Sequence, residues 1–221
     1  MKLKDKVAII TGAGRNIGEE TAKLFASEGA KLVIVDMDKA RGDKVAGDIK
    51  KGGGQAIACV ANIASEADIA AMVKAAVDEF GRIDILINNA AISDNKTILD
   101  ISKEEWDRVL SVTLTGPFLM TQAVARQMVA QGQGGSIVNV GSTSGERGRV
   151  RAIAYTAAKG GLHNMTRSMA VQLSPHKIRV NGVVPNKIGS PVGKDAFDPT
   201  RPVVNLAGRP GVDGTAAAVR R

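Results

Sequence analysis

Tyr155 and Lys159 stand four residues apart in the stretch STSGERGRVRAIAYTAAK, Ser142 to Lys159. On a helix that spacing puts both side chains on one face, within reach of each other. A free tyrosine loses its proton near pH ~10 and is a poor base at neutrality. An ammonium held close favours the phenolate and lowers that value. So placed, Tyr155 exchanges a proton with an alcohol or a carbonyl near physiological pH. Ser142 lies just past the apolar run Ile137-Val138-Asn139-Val140, which reads as a buried strand. A hydroxyl at a strand's C-terminal end is where open α/β sheets place ligand chemistry.

The N-terminus carries a second pattern. Lys6–Thr11 (KVAIIT) reads as a short buried strand, and Gly12-Ala13-Gly14-Arg15-Asn16-Ile17-Gly18 follows at once. A helical pattern then runs to Ser27, with Gly29 at the expected cap. A strand, a glycine-rich turn and a helix N-terminus aim free N–H groups and the positive helix end at one point, which suits a phosphate. Lys31–Val35 is a second strand that ends in Asp36. An acid about 20 residues beyond such a turn can accept hydrogen bonds from an adenosine ribose.

The rest of the chain must position these groups. Asp38–Lys51 reads as a polar helix closed by glycines, and Gln55–Val60 as a third strand. Ser65 and Asp68 start the next helix like a capping box, with apolar residues at helical spacing from Ile69 to Phe80. Ile83–Ile87 is a fourth strand, ending in Asn88-Asn89-Ala90-Ala91. Those Asn amides either satisfy backbone groups between strands or touch a ligand. Ser102 and Glu105 open a helix that Pro117 should kink or break near Thr113. Ser136–Val140 is a fifth strand, a helix carries Tyr155 and Lys159 to about Leu173, and Lys177–Val184 is a sixth strand. Residues 192–214 lose the pattern and suit a mobile loop over a site. Strands alternate with helices and no linker divides residues 1–221, so the expected fold is one doubly wound α/β domain with a parallel sheet.

Composition narrows the class. One cysteine, Cys59, excludes an intrachain disulfide and reads as a small buried residue in a reducing compartment. No apolar run reaches membrane-helix length, and no signal-peptide core is present, so a cytoplasmic protein is expected. The net charge of +8 is spread along the chain, which reads as solubility. Arg147, Arg149 and Arg151 are the exception, either a solvated loop or a place to steer an anionic substrate. Aromatics at 3% leave little for stacking on bases, which argues against nucleic acid.

Together the motifs TGAGRNIG, Asp36, NNAA, Ser142, Tyr155-x-x-x-Lys159 and RVNGVVPNKIGSP resemble the short-chain dehydrogenase/reductase family over nearly the whole chain. The resemblance implies hydride transfer between a nicotinamide cofactor and a secondary alcohol or ketone. It implies that Tyr155 is the general acid/base, that Lys159 lowers its pKa and holds the nicotinamide ribose, and that Ser142 holds the substrate oxygen. It places the cofactor along Gly12, Arg15, Asn16, Ile17 and Gly18, then Asp36 and Met37, Asn62 and Ile63, and Asn89, Ala90 and Ala91. It continues through Tyr155 and Lys159 to Pro185, Ile188 and Ser190, with Ser190 on the carboxamide. It also implies a small-molecule substrate, no metal, and a homo-oligomer, dimer or tetramer.

Four features depart from the family. Asn16 replaces the middle glycine of the turn, and Asn tolerates φ > 0 best after Gly. Asn62 replaces the acid that usually touches adenine. Thr113 stands where the fourth catalytic residue, an Asn that holds a helix kink, is expected. The chain stops before the family's seventh strand, so a longer natural protein is expected. Thr113 and that end leave a second reading, a catalytically weakened relative that binds or regulates. For the cofactor, Arg15 suits the 2′-phosphate of NADP and Asp36 suits the free ribose of NAD. Asp36 is short and fixed by its strand, so NAD is expected.

Overall fold

Strand runs without polar alternation demand cover on both faces. The computed structural model, which describes residues 1–186, provides it. Six strands form one sheet: β1 (Val7–Thr11), β2 (Lys31–Asp36), β3 (Gln55–Val60), β4 (Ile85–Asn88), β5 (Gly135–Val140) and β6 (Ile178–Val183). All neighbours pair in parallel, in the order β3-β2-β1-β4-β5-β6. The helices are α1 (Asn16–Ser27), α2 (Lys39–Lys51), α3 (Glu66–Phe80), α4 (Lys103–Leu110), α5 (Gly116–Gln131) and α6 (Ile153–Leu173).

Alternate residues of β1 serve opposite layers. Ala8 and Ile10 pack with Ala22 of α1 and with Val45 and Ile49 of α2. Ile9 packs on the other face with Met72 of α3, Met120 and Val124 of α5 and Met169 of α6. The strand order reverses between β1 and β4, and the crevice at that switch point is where such sheets take ligands. Parallel register brings the ends of all six strands to one edge, including Thr11, Asp36, Asn88 and Val140.

Helix ends follow the capping residues. The Asp38 carboxylate accepts the Arg41 N–H, Ser65 accepts that of Asp68, and Ser102 accepts that of Glu105. Gly81 and Gly132 end their helices at φ 77° and 70°. The expected interruption near Thr113 is neither a break nor a proline kink alone. Residues Ser111–Thr115 form a π-turn that carries α4 into α5. Cys59 is half-buried rather than buried, and burial pushes its thiol pKa up. Ile188, Ser190 and the 192–214 loop lie outside the described residues.

β4 begins two residues later than the apolar run suggests because Asp84 makes a side-chain junction there. Its carboxylate accepts the Val7 N–H at 3.0 Å and two bonds from the Arg82 guanidinium, while its own N–H donates to the Val7 carbonyl. Burial raises the Asp84 pKa, but the Val7 N–H, Arg82 and Lys6 outweigh it and hold the carboxyl below its ordinary value. Asp84→Ala should therefore cost about 1–3 kcal/mol by orphaning Val7, read as a shift in the urea midpoint. A depressed folded pKa gives stability that is present above pH ~4 and lost as pH falls through the folded value. The acid-induced loss should shrink in the variant, and an unchanged midpoint would contradict this role.

Candidate active site

The turn after β1 lies flat against the strand ends. Gly12 takes φ 61°, and a Cβ there would sit 2.9 Å from the Ala90 Cα. A Cβ on Gly18 would lie 2.3 Å from the Gly12 carbonyl oxygen. Asn16 takes φ 55°, the left-handed conformation foreseen for it, and the turn survives the loss of glycine. Arg15 precedes it in extended backbone and is exposed. The two Asn amides divide, Asn89 serving the backbone and Asn88 other side chains. The Asn89 amide donates to the carbonyls of Thr11 and Gly12 at 2.9 and 3.1 Å. The Thr11 hydroxyl accepts the N–H groups of Asn89 and Ala90. Asn88 is buried and donates to Thr121 and Asn139.

Asp36 is nearly buried and held by three donors at 3.0 Å: the Gly14 N–H, the Asp38 N–H and the Arg41 guanidinium. Arg41 escaped the sequence reading. It lies five residues beyond Asp36, on the first turn of α2, where helical spacing returns a side chain to the strand end. Met37 beside it is largely exposed. Asn62 accepts the Ala64 N–H, and its own N–H donates to Asp68, so it shapes the loop after β3. The Ile63 side chain is buried against Gly116.

Ser142, Tyr155 and Lys159 come together at the ends of β5 and α6. Residues Thr143–Gly145 form a 3-10 turn whose Gly145 lies on the α6 backbone; a Cβ there would sit 2.7 Å from the Lys159 carbonyl carbon. The Ser142 hydroxyl accepts the Ser144 N–H, and its nearness to Tyr155 favours the ionised phenol. Lys159 is 3% exposed. Its ammonium donates to the Val140 carbonyl at 2.5 Å and lies 5.6 Å from the centre of the Tyr155 ring. Pro185 accepts the Thr143 N–H through its carbonyl.

The electrostatics correct one expectation. Burial raises the Tyr155 pKa, and the groups that pull it back are Ser142 and Arg149 rather than Lys159. Lys159 is itself pushed down to about 8 by burial, and its proton is directed at Val140. At neutral pH Tyr155 thus stands as a phenol, a proton donor to a ketone.

Two further site residues were missed. Asp94 is buried in the loop after β4, and its carboxylate accepts the Tyr155 N–H at 2.9 Å. It caps α6 from a distance, because Ala152 at the N-cap takes φ 74° and offers no side-chain cap. His163, one turn beyond Lys159, accepts the Ser142 N–H. Thr113 is fully buried, and its hydroxyl bonds Ile92 both ways, donating to the carbonyl at 2.8 Å and accepting the N–H at 3.1 Å. Pro117 has no N–H to return to the Thr113 carbonyl. The π-turn is therefore anchored to the loop after β4 with Thr in place of Asn.

The sequence matches the short chain dehydrogenase family over residues 6–200. It is 43% identical to galactitol 2-dehydrogenase of Agrobacterium fabrum over 188 residues, 85% of this chain and 72% of that relative. The structure of an NAD+-bound xylitol dehydrogenase superposes with a TM-score of 0.83 at 35% identity, covering 86% of this chain and 73% of that one. A 7α-hydroxysteroid dehydrogenase complexed with NADH and 7-oxo glycochenodeoxycholic acid superposes with a TM-score of 0.86 at 34% identity, covering 90% and 77%. The chain belongs to the short-chain dehydrogenase/reductase family. It is an oxidoreductase that transfers a hydride between a nicotinamide cofactor and a secondary alcohol or ketone. No helix among the described residues is long and apolar enough to cross a membrane.

Two expectations follow from this geometry. Lys159→Met should abolish turnover yet stabilise the cofactor-free protein at pH 7 by on the order of 2 kcal/mol, the burial penalty less one hydrogen bond. A lysine with a folded pKa near 8 gains stability as pH rises from there to its ordinary ~10.5. The gap between the two melting curves should close over that window; a gap constant with pH would contradict it. Thr113→Val should orphan both Ile92 groups and cost about 1–3 kcal/mol, while Thr113→Asn, which keeps a donor and an acceptor, should hold stability and kcat. Equal melting temperatures for wild type and Thr113→Val would show that the Ile92 pair carries no weight.

Proposed function

We propose that the chain is an NAD-dependent polyol dehydrogenase, interconverting a secondary hydroxyl of an acyclic sugar alcohol and the matching ketose. The observation that carries the reading is the gathering of Ser142, Tyr155 and the buried Lys159, with the ammonium 5.6 Å from the centre of the Tyr155 ring. The relatives named for galactitol and xylitol support the substrate class. In reduction the Ser142 hydroxyl holds the ketone oxygen, and Tyr155 gives that oxygen its proton. In oxidation Tyr155 takes the proton from the alcohol. Lys159 holds the tyrosine in place and offers its remaining N–H bonds to the cofactor ribose. A bound nicotinamide dinucleotide supplies or accepts the hydride. The glycine turn fits a dinucleotide because side chains at Gly12 and Gly18 would collide with the backbone. An intact set of reacting groups gives no support to a weakened, merely binding relative.

NAD is favoured over NADP by the fixed carboxylate. Three donors prevent Asp36 from swinging away from a 2′-phosphate. Like charges in such a half-dry place cost a few kcal/mol. The proposal includes a cytoplasmic homo-oligomer without nucleic-acid or membrane partners. The homo-oligomer is supported by an apolar groove between α5 and α6, lined by Leu114, Phe118 and Met165, with Phe118 42% exposed.

The test is a cofactor-fluorescence screen of galactitol, xylitol and sorbitol with each dinucleotide. NAD should exceed NADP by about two orders of magnitude in kcat/KM. Asp36→Ala should narrow the ratio by about tenfold or more by freeing Arg41 for the phosphate, and adding Arg41→Ala should take that gain back. Equal values for the two cofactors in the unmodified protein would overturn the role of Asp36. No turnover of any polyol, with simple ketones reduced, would overturn the substrate class.

A further inference from the structure

His163 lies on α6 one turn past Lys159, with its side chain 13% exposed. Its Nε2 accepts the backbone N–H of Ser142 at 3.3 Å. The ring reaches that far because residue 141 is glycine; a Cβ there would sit 2.3 Å from Nε2. An Nε2 that accepts must carry no proton, so the neutral ring holds its proton on Nδ1. Nδ1 faces the Glu146 carboxylate at 3.9 Å. A second proton would put an Nε2–H against the Ser142 N–H, two donors with no acceptor between them. The hydrogen bond is then lost, and the segment that aims the Ser142 hydroxyl at Tyr155 is released.

We propose that His163 is a positioning residue: its neutral imidazole fixes the backbone of Ser142, and its protonation gives ketone reduction an acid limb. The charged neighbours set where that limb falls. Burial lowers the His163 pKa most, Lys159 and Arg167 on its own helix lower it further, and Glu146 from the loop after β5 opposes them. The ring is therefore neutral at pH 7 and titrates below its ordinary value of about 6.5. The direction of turnover makes the effect visible. Reduction uses the protonated phenol of Tyr155, and acid only keeps that phenol protonated. A fall in reduction rate toward acid pH thus comes from a group other than the proton donor. The inference rests on Ser142 as the residue that holds the substrate oxygen.

The experiment measures NADH-dependent reduction of xylulose, fructose and tagatose from pH 5 to 8, and by NMR the imidazole nitrogens of the NADH-bound protein. The wild type should lose kcat with a one-proton slope as pH falls below the ordinary imidazole value of about 6.5. His163→Gln places an amide oxygen where Nε2 stood and does not titrate. Its acid limb should vanish, with kcat at pH 7.5 within about threefold of wild type. His163→Leu should lose about tenfold in kcat at every pH, the cost of one hydrogen bond. Should a variant fail to fold, the tautomer in the wild type decides. Nδ1–H at pH 7 supports the proposal, and Nε2–H overturns it whether or not any ketose is reduced. An acid limb that persists in His163→Gln also overturns it.

Discussion

One buried cation holds this site together. The Lys159 ammonium sits under the last carbonyl of β5 and joins α6 to the end of the sheet. Burying a lysine is costly, and burial has already pulled its pKa to about 8. The Val140 carbonyl offsets part of that cost and fixes the helix rotation that puts Tyr155 beside Ser142. Gly145 and the neighbouring Gly160 allow the close approach: a Cβ on Gly145 would meet the helix backbone at under 3 Å. A looser packing would admit water, restore the lysine's pKa and uncouple the three groups.

The sheet brings the cofactor turn to the same edge by a different device. The order reverses between β1 and β4, and Asn89 and Thr11 stitch the two strand ends together. Deeper in, Asn88 donates to Asn139 and Asn139 to Thr166, a buried polar chain running from β4 through β5 to α6. These amides are cross-strand partners in the parallel register, Asn88 opposite Asn139. Buried amides hydrogen-bonded across elements help to specify one arrangement of those elements. Here they set α6 against β4 and β5.

Local chemistry was legible in the sequence and long-range chemistry was not. The strands were readable because Val7–Ile10 and Leu32–Val35 are apolar without alternation, which only a sheet covered on both faces requires. The left-handed Asn16 was readable from its residue type alone. Asp94 was not, because it caps a helix 61 residues away and no spacing encodes that. His163 looked like one more residue on a helix until the fold brought Ser142 to it. The lysine–tyrosine spacing was read correctly as proximity, but its electrostatic meaning was not. Burial depends on what covers the pair, and here it raises the tyrosine pKa and lowers that of the lysine.

The central claim is that Tyr155 moves the proton while other residues hold the cofactor. Its most direct test is Tyr155→Phe, measured for turnover of the best polyol and for NAD affinity by fluorescence titration. The account predicts a loss in kcat of at least about a hundredfold, the scale of a lost general acid/base, with NAD affinity within about threefold of wild type. Turnover within tenfold of wild type would contradict it.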